Sequence, residues 1–213
     1  MTTRRTRKLD GGSDSERTNQ LSQSEIVDAA LRLTRKHGFD GLTMRGLADE
    51  LGVTPMAAYY YVPNKDALLS LVVDAVFDRV KVEVDASAPW YEQLKTGSLA
   101  TFDELRRYPG LGAYLAKAPL GPLGRARIQQ TLQLLRDAGF DERSAQKAYA
   151  AYHTYVFGRL ALESTMSELR RGKVRGDRGD GAIGAREFIE FGLDAMITGL
   201  RRKLDDPQAA PTA

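Results

Sequence analysis

The first 21 residues are polar, and Gly11-Gly12 with scattered Ser and Thr leave them no apolar periodicity. A segment that cannot bury apolar surface does not offset its ordering entropy, so residues 1–21 are expected to form a flexible arm. Periodic structure begins at Ser22. With Glu25 three positions on, it makes a capping box in which hydroxyl and carboxylate each satisfy a helix-end amide. Ile26, Ala29, Ala30 and Leu33 then recur at helical spacing until Gly38. Met44, Leu47, Ala48 and Leu51 mark a second helix after Thr43, ended by Gly52. Thr54-Pro55 announces a third, with a capping hydroxyl followed by proline where a missing amide costs nothing. Pro63 closes it after Val62. Asn64 caps a fourth helix running through Leu68, Leu69, Val72, Ala75 and Val76 to Arg79.

The later segments are longer. Pro89 opens a helix to about Arg107, Pro109-Gly110 breaks it, and a short helix follows to Ala118. Pro122 to Ala138 forms another, stopped by Gly139, and Asp141 caps a long helix to about Arg171. Residues 172–184, rich in Gly, Arg and Asp, predict a mobile loop. Ala185 to Leu204 forms the last helix and residues 206–213 a tail. No strand-like alternation and no solenoid repeat is present, so the fold class expected is all-α. The units predicted are the arm, a helix-turn-helix domain over 22–68, and a larger helical domain over 69–205.

Composition narrows the chemistry. Among 213 residues there is no cysteine and there are two histidines. Thiolate nucleophiles, disulfides and Cys-ligated metal are thereby excluded, and no metal site or cofactor is expected. No apolar run reaches the ~18 residues of a membrane span, so the expectation is a cytoplasmic protein without a membrane partner. The net charge of +3 resides mostly in the arm, where Arg4, Arg5, Arg7, Lys8 and Arg17 face Asp10, Asp14 and Glu16. Gly179, Gly181 and Gly184 match a dinucleotide fingerprint in spacing, but no strand precedes them. No carboxylate pair stands with a base or nucleophile in a way that suggests catalysis.

The segment Thr43 to Val62 carries the functional signal. Two short helices joined by Gly52-Val53 fit the helix-turn-helix geometry, whose second helix presents its outer side to the DNA major groove. Helical spacing sends Val53, Ala58 and Val62 inward and leaves Thr54, Met56, Ala57, Tyr59 and Tyr60 outward. A solvated helix would carry Lys and Glu there. Tyrosines donate to phosphate oxygens or pack on sugars and thymine methyls, and Ala57 permits close approach to a base edge. Lys65, in the first turn of the fourth helix, opposes the helix dipole and is suited to a phosphate. Thr43 and Arg45 open the second helix and are placed to meet the DNA backbone.

Gly38-Phe39, Leu42-Thr43, Leu47-Ala48, Leu51-Gly52-Val53, Tyr59-Tyr60-Tyr61-Val62 and Asn64-Lys65 with Leu68-Leu69 resemble the DNA-binding domain of the tetracycline-repressor (TetR) family. Gly139-Phe140, Gly158, Phe191-Gly192-Leu193-Asp194, Ile197, Gly199-Leu200 and Leu204 are similar to the C-terminal domain of the tetracycline repressor subgroup. The resemblance implies a homodimer that places two recognition helices in successive major grooves of operator DNA. It also implies that a small-molecule effector in the second domain releases the DNA. In that subgroup a histidine outside the long helix holds a magnesium–drug chelate, whereas here the histidine other than His153 is His37, in the DNA-binding domain.

A dimer is also expected from the residues. The long helix has Ala145, Ala148, Tyr149, Tyr152, Val156 and Leu160 on one stripe and Thr154, Phe157, Gly158 and Ala161 on another. The last helix sets Phe188, Phe191, Gly192, Ala195 and Gly199 beside a second apolar stripe of Ile189, Leu193, Met196, Ile197 and Leu200. Helices apolar on two sides need more cover than one core supplies. For the effector, Phe102, Tyr114, Tyr149, Tyr152 and His153 are polar-tipped or aromatic groups suited to an apolar ligand with a few hydrogen bonds. The reading is a ligand-responsive repressor and not an enzyme. Its rivals are an all-α enzyme using the second-domain pocket and a non-specific DNA binder.

Overall fold

The computed structural model describes residues 21–117, 120–172 and 184–205. Nearly all of the expected arm and loop, and the whole tail, lie outside these residues, as does the glycine fingerprint apart from Gly184. Among the described residues the secondary structure is entirely helical: α1 (Gln23–His37), α2 (Met44–Leu51), α3 (Pro55–Tyr61), α4 (Lys65–Arg79), α5 (Trp90–Leu105), α6 (Leu111–Leu115), α7 (Pro122–Asp137), α8 (Glu142–Gly172) and α9 (Ala185–Asp205).

The predicted caps are formed. Ser22 Oγ accepts from the Glu25 amide at 3.2 Å while Glu25 Oε2 accepts from the Ser22 amide at 2.8 Å. Thr43, Thr54 and Asn64 accept from the amides of Gly46, Ala57 and Ala67. Gly52 ends α2 in the left-handed region at φ 69°, where an L side chain is strained, and its open surroundings show that conformation, not space, selects glycine. The Val53 amide then returns to Ala48 O at 3.0 Å. These backbone bonds fix the turn, and packing of Leu47, Ala48, Ala58 and Val62 in one core holds α2 against α3.

α2 packs against both α1 and α3, and α4, packed on α1, carries them into the rest of the molecule. Leu68, Leu69, Val72, Val73, Val76 and Phe77 of α4 are all buried, which wraps apolar groups around the helix. One core runs without a break from Ile26 and Leu47 through Val76 to Phe102, Val156 and Leu193. The expected boundary at residue 68 therefore falls inside a helix and inside a continuous core. A separate cluster of Leu94, Leu132, Leu135, Phe140, Ala145, Ala148 and Ile197 closes the far end.

Two further ties bind α1 and the turn after it to the second half. The Phe39 amide donates to Pro109 O at 2.8 Å. Arg35 donates to the Tyr108 hydroxyl at 2.7 Å with its guanidinium 5.0 Å from that ring's centre. Burying the Tyr108 ring beneath a guanidinium contributes both area and a cation–π attraction. Arg79 also reaches back to Asp28 at 2.7 Å, but both side chains are well exposed and the pair contributes under about 1 kcal/mol.

Candidate nucleic-acid interface and ligand cavity

Proline at the start of α3 and Pro63 after it limit the helix to two turns. Ala58 is its one buried residue, with Val62 buried just beyond. The outward side is what the periodicity predicts. Met56 is 80% exposed, Tyr60 86% and Tyr59 48%, with Ala57 half-buried between them. Tyr61 turns back, its hydroxyl accepting from the Leu21 amide at 3.2 Å, and its ring meets Tyr60 edge-on at 5.4 Å. Such an apolar, aromatic display costs solvation and, apart from the Tyr60–Tyr61 ring contact, gains little within the chain.

Thr54 and Thr43 use their oxygens as cap acceptors, which leaves each hydroxyl proton free to donate outward. Arg45 and Lys65 are exposed and have no ion-pair partner among the described residues. Fixed donors at the starts of α2, α3 and α4 therefore flank an apolar reading surface. This is the arrangement that positions on phosphates while contacting base edges.

The second site is a cavity of about 250 Å³ among α4, α5, α7 and α8. Tyr149, His153 and Phe157 stand one turn apart on α8 and form a ring-on-ring wall, with centroids 5.2 and 4.2 Å apart. Tyr152 joins them beside Ser98. Burial raises the Tyr149 and Tyr152 phenols and lowers the His153 imidazole, so all three groups are neutral near pH 7. His153 Nε2 is buried without a hydrogen-bond partner among the described residues, which leaves its bonding capacity unused at the cavity wall.

Two expected lining residues are elsewhere. Phe102 is fully buried in the main core, and Tyr114 packs its ring on Phe39 with centroids 4.9 Å apart. Both belong to the main core that joins the two halves. Conversely, Arg127, Thr131, Gln93, Ser98 and Thr101, which are not among the expected lining residues, do line the cavity. Arg127, Thr131 and Leu134 recur at helical spacing, the one signal that set them on a common inner stripe of α7.

The expected second stripe of α8 and α9 divides. Phe191 is 79% exposed and Phe188 about half, with Ala195, Gly158 and Gly199 also exposed and Leu162 uncovered beside them. Phe157, expected at that interface from its spacing, is half-buried and stacks on His153 in the cavity wall. Gly192 also has an internal reason. A side chain there would collide with the Tyr155 hydroxyl, which donates to Phe188 O at 2.9 Å. Ala161 sits against the crossing of α6 and α8, where any Cβ on Gly112 would fall 2.6 Å from its backbone nitrogen.

Residues 26–72 match the model for bacterial regulatory proteins of the tetR family, and residues 85–180 match the tetracyclin repressor-like C-terminal domain. The chain is 42% identical over 147 residues to the class A tetracycline repressor protein from transposon 1721 of Escherichia coli, covering 68% of each. It is 36% identical to an HTH-type transcriptional regulator of Saccharopolyspora erythraea over 68% of this chain, and spans 61% of that relative's length. Two solved structures share the fold. TetR-Q116A from Acinetobacter baumannii in complex with minocycline superposes at TM-score 0.73 and 25% identity, covering 86% of this chain and 98% of that one. BioQ with its natural double-stranded DNA operator does so at 0.66 and 27%, covering 86% and 99%. Matching both halves of the chain, these likenesses place it in the tetR family of bacterial regulatory proteins.

Proposed function

We propose that the chain is a ligand-responsive transcriptional repressor. As a homodimer it holds a palindromic operator until a small aromatic effector enters the cavity. The observation that carries this is the outward face of α3, with Met56, Tyr59 and Tyr60 exposed above a buried Ala58. In this reading Thr54, Met56, Ala57, Tyr59 and Tyr60 read bases, while Thr43, Arg45 and Lys65 hold phosphates. The exposed Phe188, Phe191, Ala195, Gly158 and Gly199 meet their counterparts on a second copy. Tyr149, Tyr152 and His153 contact the effector. The name of the transposon relative supports repression, and the operator-bound BioQ supports double-stranded DNA as partner.

A magnesium–drug chelate does not fit these residues. The histidine outside α8 is His37, at the end of α1, and the cavity offers one imidazole and no carboxylate. A metal-free effector is therefore proposed. An enzymatic reading has little support, because no carboxylate shares the cavity with His153 for acid–base work.

Selecting genomic fragments on the protein and comparing the recovered palindrome with random duplex at matched salt tests the proposal. Preference for the palindrome is expected, and equal affinity refutes it. Lys65→Ala is expected to weaken all duplexes alike and to lower the salt slope by about one, whereas Tyr60→Ala shifts preference among sequences. Identical losses on every duplex for both variants would contradict that division.

A further inference from the structure

Arg127 stands where the cavity meets the end of α4. From α7, its Nη2 donates to Val80 O at 2.6 Å and to Phe77 O at 3.3 Å, the carbonyls that close α4. The guanidinium also lines the cavity. One nitrogen serves both carbonyls, and the remaining N–H groups of the fork have no acceptor among the described residues. Burial weakens Arg127's hold on its proton, partly offset by Tyr152 and by Asp78, which does not line the cavity. The cavity thus contains a cation, no carboxylate, an unpartnered imidazole nitrogen and an aromatic wall.

From this geometry we infer that the effector is an anionic aromatic molecule, an aromatic carboxylate or acidic phenol. Its charged group takes the Arg127 guanidinium from the carbonyls of Phe77 and Val80 and so frees the end of α4. The inference rests on the repressor reading and names its ligand class and its transmitting residue. A carboxylate competes with the two peptide carbonyls because it brings a full negative charge and two parallel acceptors that match the planar fork, where the carbonyls offer only dipoles to a single nitrogen. The aromatic body packs on the Tyr149–His153–Phe157 wall, and a ring hydroxyl reaches His153 Nε2. Because α4 carries α1 to α3, loosening its end shifts their placement relative to a second copy.

The probes are hydroxynaphthoic acid and the corresponding hydroxynaphthamide, which share shape and differ in charge. Calorimetry on the wild-type protein is expected to show the acid binding at least about tenfold more tightly. Amide exchange over residues 74–84 is expected to speed up with the acid alone, and the acid releases the selected operator. Arg127→Gln is expected to bind acid and amide equally, with no change in exchange on adding either. Arg127→Lys keeps the charge without the planar fork, so it retains preference for the acid and decides the matter should Arg127→Gln not fold. The inference is overturned if the acid fails to bind at ~1 mM. It is equally overturned if the amide matches the acid, if Arg127→Gln keeps the discrimination, or if exchange at the end of α4 does not respond. Calorimetry and exchange need no DNA, so their outcome is separable from failure of operator recognition.

Discussion

His153 illustrates how one residue's surroundings set a measurable property. Stacked between Tyr149 and Phe157 and deprived of water, its imidazole resists protonation below the ordinary value near 6.5. As pH falls through that range the unfolded chain takes up a proton that the folded chain refuses, so this residue withdraws stability on acidification. Above the range both states are neutral and nothing is lost. His153→Gln is expected to flatten the decline of thermal stability between about pH 7.5 and 5.5. A decline as steep as that of the wild type would show that the imidazole is protonated in the folded state.

At the level of helices, the crossing of α6 over α8 depends on Gly112. A Cβ there would lie 2.6 Å from Ala161 N and 2.7 Å from Leu160 C, and backbone cannot yield as a side-chain tip can. Gly112→Ala is expected to destabilise the protein by about 2–3 kcal/mol, read as a lower melting temperature, because the helices must separate along their contact. An unchanged melting temperature would mean that α6 moves freely. The helices themselves were legible because their ends are written locally, in Ser22–Glu25, Thr54-Pro55, Asn64 and Gly52. The outer face of α3 was legible for the same reason, since two prolines and one periodicity determine which tyrosines face out. The cavity was only half legible. Aromatic identity puts Phe102 and Tyr149 in one class, and only the packing of α5 against its neighbours separates a core ring from a lining ring. Arg127 escaped notice because its acceptors lie 47 and 50 positions away along the chain.

For the whole molecule, the uncovered strip on α8 and α9 is the contact proposed between two copies. Phe191 projects 79% exposed, and Phe188 and Leu162 are exposed as well, an apolar display suited to cover by a second copy. Phe191→Glu is expected to weaken the dimer by about 2 kcal/mol, roughly thirtyfold in dissociation constant, while leaving the protomer's fold intact. Sedimentation checks the first part and circular dichroism the second. A variant that remains dimeric at micromolar concentration would locate the interface on another face.

The economy with which α3 is held has an evolutionary consequence. The helix is anchored through Ala58 and its closing Val62, and Met56, Tyr59 and Tyr60 make little contact that the fold needs. Substitutions at such exposed positions alter stability by no more than about 0.5 kcal/mol. Under the proposed function, lineages descended from this chain are free to exchange those three side chains and acquire new target sequences, while the cavity and the proposed contact between copies pass on unaltered.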